Sequence, residues 1–280
     1  MQTSTNQEKN RDHYEKKYSE FSIKNILFWL NHLEEFLSSA TKTETSWFGM
    51  YKNDFAQKIR GKTVLELGCG DCTNAAVMAA LGAEVYANDI ADSSGEIIKA
   101  LNQNHNFRHP IVFVKGDFIN NKLASQSFDY VVGKAFLHHL TVSTEKEFLK
   151  ETGRLLKADG EARFFEPAVN NRFLDEVRWH IPVPGRPSKL QKTAFKNWKE
   201  NDPHPDRSFS SRHFEAAGKD LFEEVEIHPI GTLERFHRIL PKNKWNGKFR
   251  RWALKNEKYI PGSLNRSIAR SQLIIYRNPS

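Results

Sequence analysis

Gly68, Cys69 and Gly70 follow a short apolar run, Val64-Leu65-Glu66-Leu67, and precede an Ala-rich stretch, Thr73 to Leu81, that ends at Gly82. Glycine takes positive φ without a Cβ clash and lets a ligand come close to the backbone. A helix beginning near Thr73 would offer free N–H groups at the same place. The chemistry served by this spacing is the holding of a nucleoside-type ligand. Asp89, about twenty positions beyond the glycines, falls where a carboxylate accepts hydrogen bonds from ribose hydroxyls. For proton transfer the candidates are His138, His139 and Glu166, all at expected C-terminal strand ends; a histidine pKa near neutrality suits a general base. Cys69 and Cys72 form a Cys-x-x-Cys, but no second Cys or His pair stands at zinc-ligand spacing. They read as small residues in a tight loop, and no metal site is expected.

The elements that must carry these residues alternate along the chain. After the first strand come Ala83 to Ile90, a helix over Gly95 to Leu101, and a strand Ile111 to Lys115 closed by Gly116-Asp117-Phe118. Phe128 to Gly133 forms the fourth strand and runs into Lys134-Ala135-Phe136-Leu137-His138-His139-Leu140. Thr144 and Glu147 match a capping box for a helix reaching about Lys157. Gly160 then turns the chain into a strand ending at Glu166-Pro167. Such alternation with short turns argues for an α/β fold, a parallel sheet with helices on both faces. A helix from about Ser211 to Leu221 and strands at Glu224 to Ile230 and Gln272 to Arg277 bring the count to seven strands.

Upstream, residues 1–20 are charged and polar and read as partly disordered or as a loose helix. From Ser22 onward Ile26, Leu30, Leu33 and Leu37 recur at helical spacing, which predicts one amphipathic helix capping the domain edge or walling an acceptor pocket. We therefore divide the chain into a helical extension over 1–59 and one domain over 60–280. That domain carries insertions at about 168–207 and 231–270. The first, with Trp179 and Trp198, is too long and too aromatic for a simple connection and is expected to fold over the strand ends.

The second insertion is basic: eleven Lys and Arg face only Glu234 and Glu257, a surplus of about nine in a chain whose net charge is +8. If Trp245 to Lys255 is helical, Trp245, Phe249 and Trp252 share a stripe beside Lys244, Lys248, Arg251 and Lys255, which suits an anionic surface. No apolar run of about 18 residues predicts a membrane span. The polar start of the chain lacks a secretory apolar region, so a cytoplasmic protein is expected, with peripheral membrane contact through the basic insertion.

Together these marks resemble the class I S-adenosylmethionine-dependent methyltransferases: Glu66-Leu67-Gly68-Cys69-Gly70, Asp89, Gly116-Asp117-Phe118, the stretch Phe128 to Leu140, and Leu156-Lys157-Ala158-Asp159-Gly160. The likeness covers about residues 60–170 and implies a doubly wound, mostly parallel seven-stranded sheet whose last strand is antiparallel. It implies S-adenosyl-L-methionine as cofactor. Gly68, Cys69 and Gly70 would approach its methionine and ribose part, and Glu66 the amino-acid end. Asp89 would hold the ribose hydroxyls and Ile90 would pack on adenine. Asp117 would meet the adenine amino group with Phe118 beside it, and Lys134 and Ala135 would close the methionine side. A nicotinamide-binding fingerprint is disfavoured because Thr73 stands where its third glycine belongs, and no Gly-Lys-Ser/Thr of a phosphate loop is present. The expected acceptor is a small molecule or lipid, with both insertions building its site. An RNA methyltransferase, for which the basic insertion speaks, and a non-catalytic cofactor binder are the alternatives.

Overall fold

The computed structural model describes residues 2–183, 186–200, 209–241 and 243–280. Pro184, Gly185, the 201–207 part of the first insertion and Lys242 lie outside the described residues. The chain opens with α1 (Gln2–Tyr18), α2 (Lys24–Asn31), α3 (Leu33–Thr43), α4 (Thr45–Met50) and α5 (Phe55–Lys58). Then follow β1 (Thr63–Leu67), α6 (Thr73–Ala80), β2 (Glu84–Asp89), α7 (Asp92–Asn104), β3 (Val112–Lys115), β4 (Phe128–Lys134), α8 (Val142–Leu155) and β5 (Leu156–Pro167). The remainder is α9 (Arg172–His180), α10 (Lys192–Glu200), α11 (Ser211–Lys219), β6 (Phe222–Ile230), α12 (Lys244–Asn256), α13 (Gly262–Ile268) and β7 (Ser271–Pro279).

Seven strands form one sheet in the order β3-β2-β1-β4-β5-β7-β6. The first five pair in parallel, while β7 runs antiparallel between β5 and β6, with Ser271 opposite both Pro167 and Ile230. Alternate residues of each strand point to opposite faces, and both faces are covered. Val64, Val85, Ala87, Val132 and Ile275 pack with Ile26, Met50, Ala76 and Ile98 on one side. Leu65, Leu67, Val131, Phe164 and Tyr276 meet Phe148, Leu149 and Phe214 on the other. Because the strands are buried on both sides, they read as nearly continuous apolar runs. Among the described residues no helix is long and apolar enough to cross a membrane.

Several local expectations change. The helix expected from Ser22 is two, broken at His32, whose backbone leaves the helical region at φ −127°, ψ 43°. Ile26 and Leu30 are buried in the core rather than walling a pocket. Of the two readings of residues 1–20, disorder and a loose helix, the helix forms, as α1: its Tyr14 and Tyr18 rings stack at 5.7 Å, and Glu15 accepts bonds from Ser93 N and Oγ, both at 3.2 Å. The cap of α8 is Thr141, whose Oγ1 accepts from Thr144 N at 3.3 Å. Thr144 is thus one turn inside the helix, and the box with Glu147 does not form.

Candidate active site

The C-terminal end of β1 turns through Gly68 at φ +62° and Gly70 at φ +54°, a region that a residue with a Cβ enters only at a cost. A Cβ on Gly68 would come within 2.3 Å of the Phe136 ring, so this glycine is also required by packing. Asp89, at the end of β2, fastens the loop: Oδ2 accepts from Gly70 N at 2.8 Å and Oδ1 from Ala91 N at 3.0 Å. Around this turn opens a cavity of about 330 Å³. Glu66, Gly68, Cys69, Gly70, Asp89, Ile90, Phe118, Lys134 and Ala135 line it, as do His138 and His139.

Asp117 and Glu166 are not among the residues that line this cavity. The Asp117 carboxylate accepts from Ile119 N at 3.2 Å and Asn120 Nδ2 at 3.0 Å and caps the turn Phe118–Asn120. Glu166, expected as a candidate base, is fully buried. Its carboxylate accepts from Phe136 N at 2.9 Å, Leu137 N at 2.7 Å, His138 N at 3.3 Å and the His138 ring Nδ1 at 2.8 Å. It organises the turn after β4 and holds His138, and it has no path to an acceptor. Ala135 makes that turn possible by adopting φ +61°. His139 is likewise no base: Nδ1 meets Asn10 Oδ1 at 2.9 Å and Nε2 meets Tyr14 Oη at 3.3 Å, so both nitrogens serve to seat α1.

The insertions were expected to build the acceptor site, yet none of their described residues lines this cavity. Asn10, Tyr14, Lys17 and Tyr18 of α1 do so instead. Their spacing, i, i+4, i+7 and i+8, is one helical stripe, a signal available in the sequence but hidden because the stripe is polar. The first insertion packs largely on itself, with Trp179, Phe195 and Trp198 rings 5.7–5.9 Å apart.

The floor of the cavity is acidic. Asn74 Nδ2 donates to Glu66 Oε1 at 2.8 Å, and Tyr51 Oη donates to Asn74 Oδ1 at 3.1 Å. Glu66 Oε2 is buried with no partner. Burial pushes the Glu66 carboxyl up to about 7, despite the Asn74 bond and nearby Lys134. Burial also raises Asp89 and lowers Lys134, whose ammonium lies 4.4 Å over the Trp47 ring. The thiols of Cys69 and Cys72 are free, their sulfurs 3.7 Å apart and both pushed up, Cys69 by its bond to Cys72 and by burial, Cys72 by burial. Among the described residues no group of His, Cys, Asp or Glu is arranged to hold a metal ion.

Residues 64–160 match a family model described as "Methyltransferase domain". No curated protein matches the chain. Among solved structures, it is similar to the geranyl diphosphate C-methyltransferase of Streptomyces coelicolor A3(2), at 12% identity and TM-score 0.53, covering 83% of this chain and 76% of that one. A phosphoethanolamine N-methyltransferase 2 of Haemonchus contortus aligns at 14% identity and TM-score 0.52 over 93% of this chain and 61% of its own. A SAM-dependent methyltransferase of Archaeoglobus fulgidus aligns at 17% identity and TM-score 0.52, covering 81% and 90%. At such identities the structures speak for the fold, and its strand order agrees with theirs. The matched segment spans β1 to the start of β5, so this stretch is similar to a methyltransferase domain, and the fold of the chain is that of the solved class I, S-adenosylmethionine-dependent methyltransferases.

Proposed function

We propose that the chain transfers the methyl group of S-adenosylmethionine to a small-molecule acceptor held beside His138. The pairing of His138 Nδ1 with buried Glu166 carries this reading. A carboxylate that accepts the Nδ1 proton fixes the tautomer and leaves Nε2 as the ring's basic nitrogen. A histidine so oriented in the cavity wall removes a proton from an acceptor hydroxyl or amine.

The cavity also fits the cofactor. Among the described residues Glu66 Oε2 has no hydrogen-bond donor, and the ammonium of the cofactor's amino-acid end would supply one. Each Asp89 oxygen accepts one backbone N–H and has capacity for one more bond, which the ribose hydroxyls would provide. Gly68, Cys69 and Gly70 admit the ligand to the backbone, Ile90 and Phe118 would flank adenine, and Lys134 and Ala135 would close the amino-acid end. Bound, S-adenosylmethionine supplies a methyl group already activated as a sulfonium. What remains for the protein is alignment, exclusion of water and the His138 proton transfer. The neighbours from Streptomyces and Haemonchus are described with geranyl diphosphate and phosphomonomethylethanolamine bound, which supports a small-molecule class.

Incubation with methyl-labelled cofactor and cell extract tests the reading. Label should appear in a small product, and His138→Ala should slow its formation by roughly 10²–10⁴-fold while S-adenosylhomocysteine binds as before. Label in RNA, or in nothing, overturns it.

We further infer that the acceptor is met at an anionic membrane surface. Trp245 and Trp252 of α12 are 64% and 54% exposed, with Lys244, Lys248, Arg251 and Lys255 exposed beside them. Arg250, Ala253 and Leu254 hold the opposite face to the protein, Arg250 through Glu44 and Glu234.

A further inference from the structure

Beyond Glu166 and Pro167 the chain runs through Ala168, Val169 and Asn170 into α9, and these residues share a cleft with Arg178, Arg235 and Arg270. Arg178 belongs to α9, Arg235 to the turn Glu234–Ile239 after β6, and Arg270 immediately precedes β7. The antiparallel run of β7 brings its start level with the end of β5: Ser271 pairs with Pro167, and Ala168 N donates to Arg270 O at 2.8 Å. The cleft therefore stands on the same edge of the sheet as the cavity: Ala168, in its lining, is two residues or about 7 Å of extended chain beyond Glu166.

Among the described residues the carboxylates do not balance these arginines. Asp175 also lines the cleft; it pairs with Arg178 at 2.6 Å and accepts from Trp179 Nε1 at 3.2 Å. Glu234 is already held by Arg250 at 2.8 Å and His237 at 3.0 Å, and lies 3.7 Å from Arg270. Arg235 Nη1 donates to the Ile268 carbonyl at 2.6 Å. Arg178 Nε is buried with no partner. Arg238, which faces Arg270 and Arg178, makes no ion pair among the described residues. Burial first, and the neighbouring guanidinium groups after it, lower Arg235, Arg238 and Arg270, the last to about 10. Like charges gathered at partial burial destabilise one another unless an anion joins them.

We propose that this cleft binds the phosphate of a phosphorylated acceptor, so that the anion anchors one end of the molecule while its other end reaches His138. Planar guanidinium forks match phosphate oxygens in pairs, and three converging forks suit a phosphate or diphosphate better than a single carboxylate. The enclosed space is only about 20 Å³, so the anion sits on the rim, where the Arg178 and Arg270 side chains are 33% and 27% exposed. The proposal rests on the methyl-transfer reading above for the identity of the molecule, but the anion site is testable alone.

Titration of the full chain with inorganic pyrophosphate and with orthophosphate, followed by ³¹P NMR and calorimetry at low and high salt, is the direct measurement. Pyrophosphate should bind the wild-type chain, more weakly at high salt. Arg178→Gln and Arg235→Gln should each weaken it by roughly tenfold, one lost charge-assisted pair, with S-adenosylhomocysteine affinity unchanged. No pyrophosphate binding by the wild-type chain, or equal binding by both variants, overturns the proposal, and the wild-type titration stands even if a variant fails to fold. Failure of the wild-type chain to bind S-adenosylhomocysteine would instead overturn the methyl-transfer reading, with the phosphate titration still deciding the cleft.

Discussion

At the ends of β1, β2 and β4 the cavity gathers Glu66, Asp71 and Asp89 beside the buried Lys134, whereas at the ends of β5 and β6 a cleft gathers Arg178, Arg235 and Arg270 around Asp175. Burial acts on both regions in the same way, by disfavouring the charged form. In the cavity it raises Glu66 to about 7, and in the cleft it lowers Arg270 to about 10. Where cations surround a buried carboxylate the outcome reverses: against the effect of burial, His237, Arg250 and Arg270 hold Glu234 down at about 2. The contrast teaches that charge left uncompensated inside the fold marks where a ligand of opposite sign belongs. One sheet edge thus offers a place for a cationic ligand and, beside it, a place for an anionic one.

The harshest way to break the cavity half is Gly68→Val. A β-branched residue at φ +62° costs about 1–3 kcal/mol in strain, and its Cβ would displace Phe136 from the wall. A lowered melting temperature together with lost S-adenosylhomocysteine binding is expected. Thermal melts and calorimetry showing native stability and native affinity would reduce the glycine to an ordinary turn residue.

Asp89→Ala should come next, weakening S-adenosylhomocysteine binding by about 10- to 100-fold, since charge-assisted hydrogen bonds contribute about 1.5–3 kcal/mol each. Pyrophosphate binding at the arginine cleft should not change. An unaltered cofactor dissociation constant would remove Asp89 from the ribose.

Glu66 sharpens the comparison through pH. Its folded-state pKa, about 7, lies above the ordinary carboxylate value of 4.5, so the protonated form favours the folded chain. That contribution is full below pH 4.5 and is lost as pH rises to about 7. A ligand carrying an ammonium prefers the ionised form, so S-adenosylhomocysteine should bind more tightly as pH rises through about 7, and Glu66→Gln should flatten the profile. Calorimetry in two buffers of different ionisation enthalpy should show proton release on binding below that pH. A flat wild-type profile would detach Glu66 from the ligand.

The smallest effect is expected at α12, outside both regions. Each basic residue near an anionic bilayer contributes about 1 kcal/mol, so reversing Lys244, Lys248, Arg251 and Lys255 should release the chain from anionic vesicles in cosedimentation. Activity on a soluble acceptor should persist. Wild-type indifference to vesicles would leave the stripe a solvated face.

The sequence by itself determined the strands, their covering helices and the glycine turn, because these follow from local rules: apolar alternation, Gly at positive φ, and an acidic residue at the next strand end. Residues 64–89 were legible for that reason, and so was His138 as a candidate at a strand end. Tertiary structure alone decided which groups those residues would meet. It joined Asn10 and Tyr14 to His139 across more than a hundred positions and turned Glu166 from a candidate base into the anchor of His138. Asp117 was drawn into its own turn. Arg163, which reads as one residue of a strand, became a buried bracket donating to the Met50 and Lys52 carbonyls. The arginine cleft is the fullest case: its members come from α9, the turn after β6 and the approach to β7, and no spacing links them. They meet because β6 carries the chain to the edge where the active-site strands end and β7, antiparallel to β5, starts from that edge. Strand direction is fixed by pairing between segments distant in the chain, and pairing of that kind leaves no local periodicity to read.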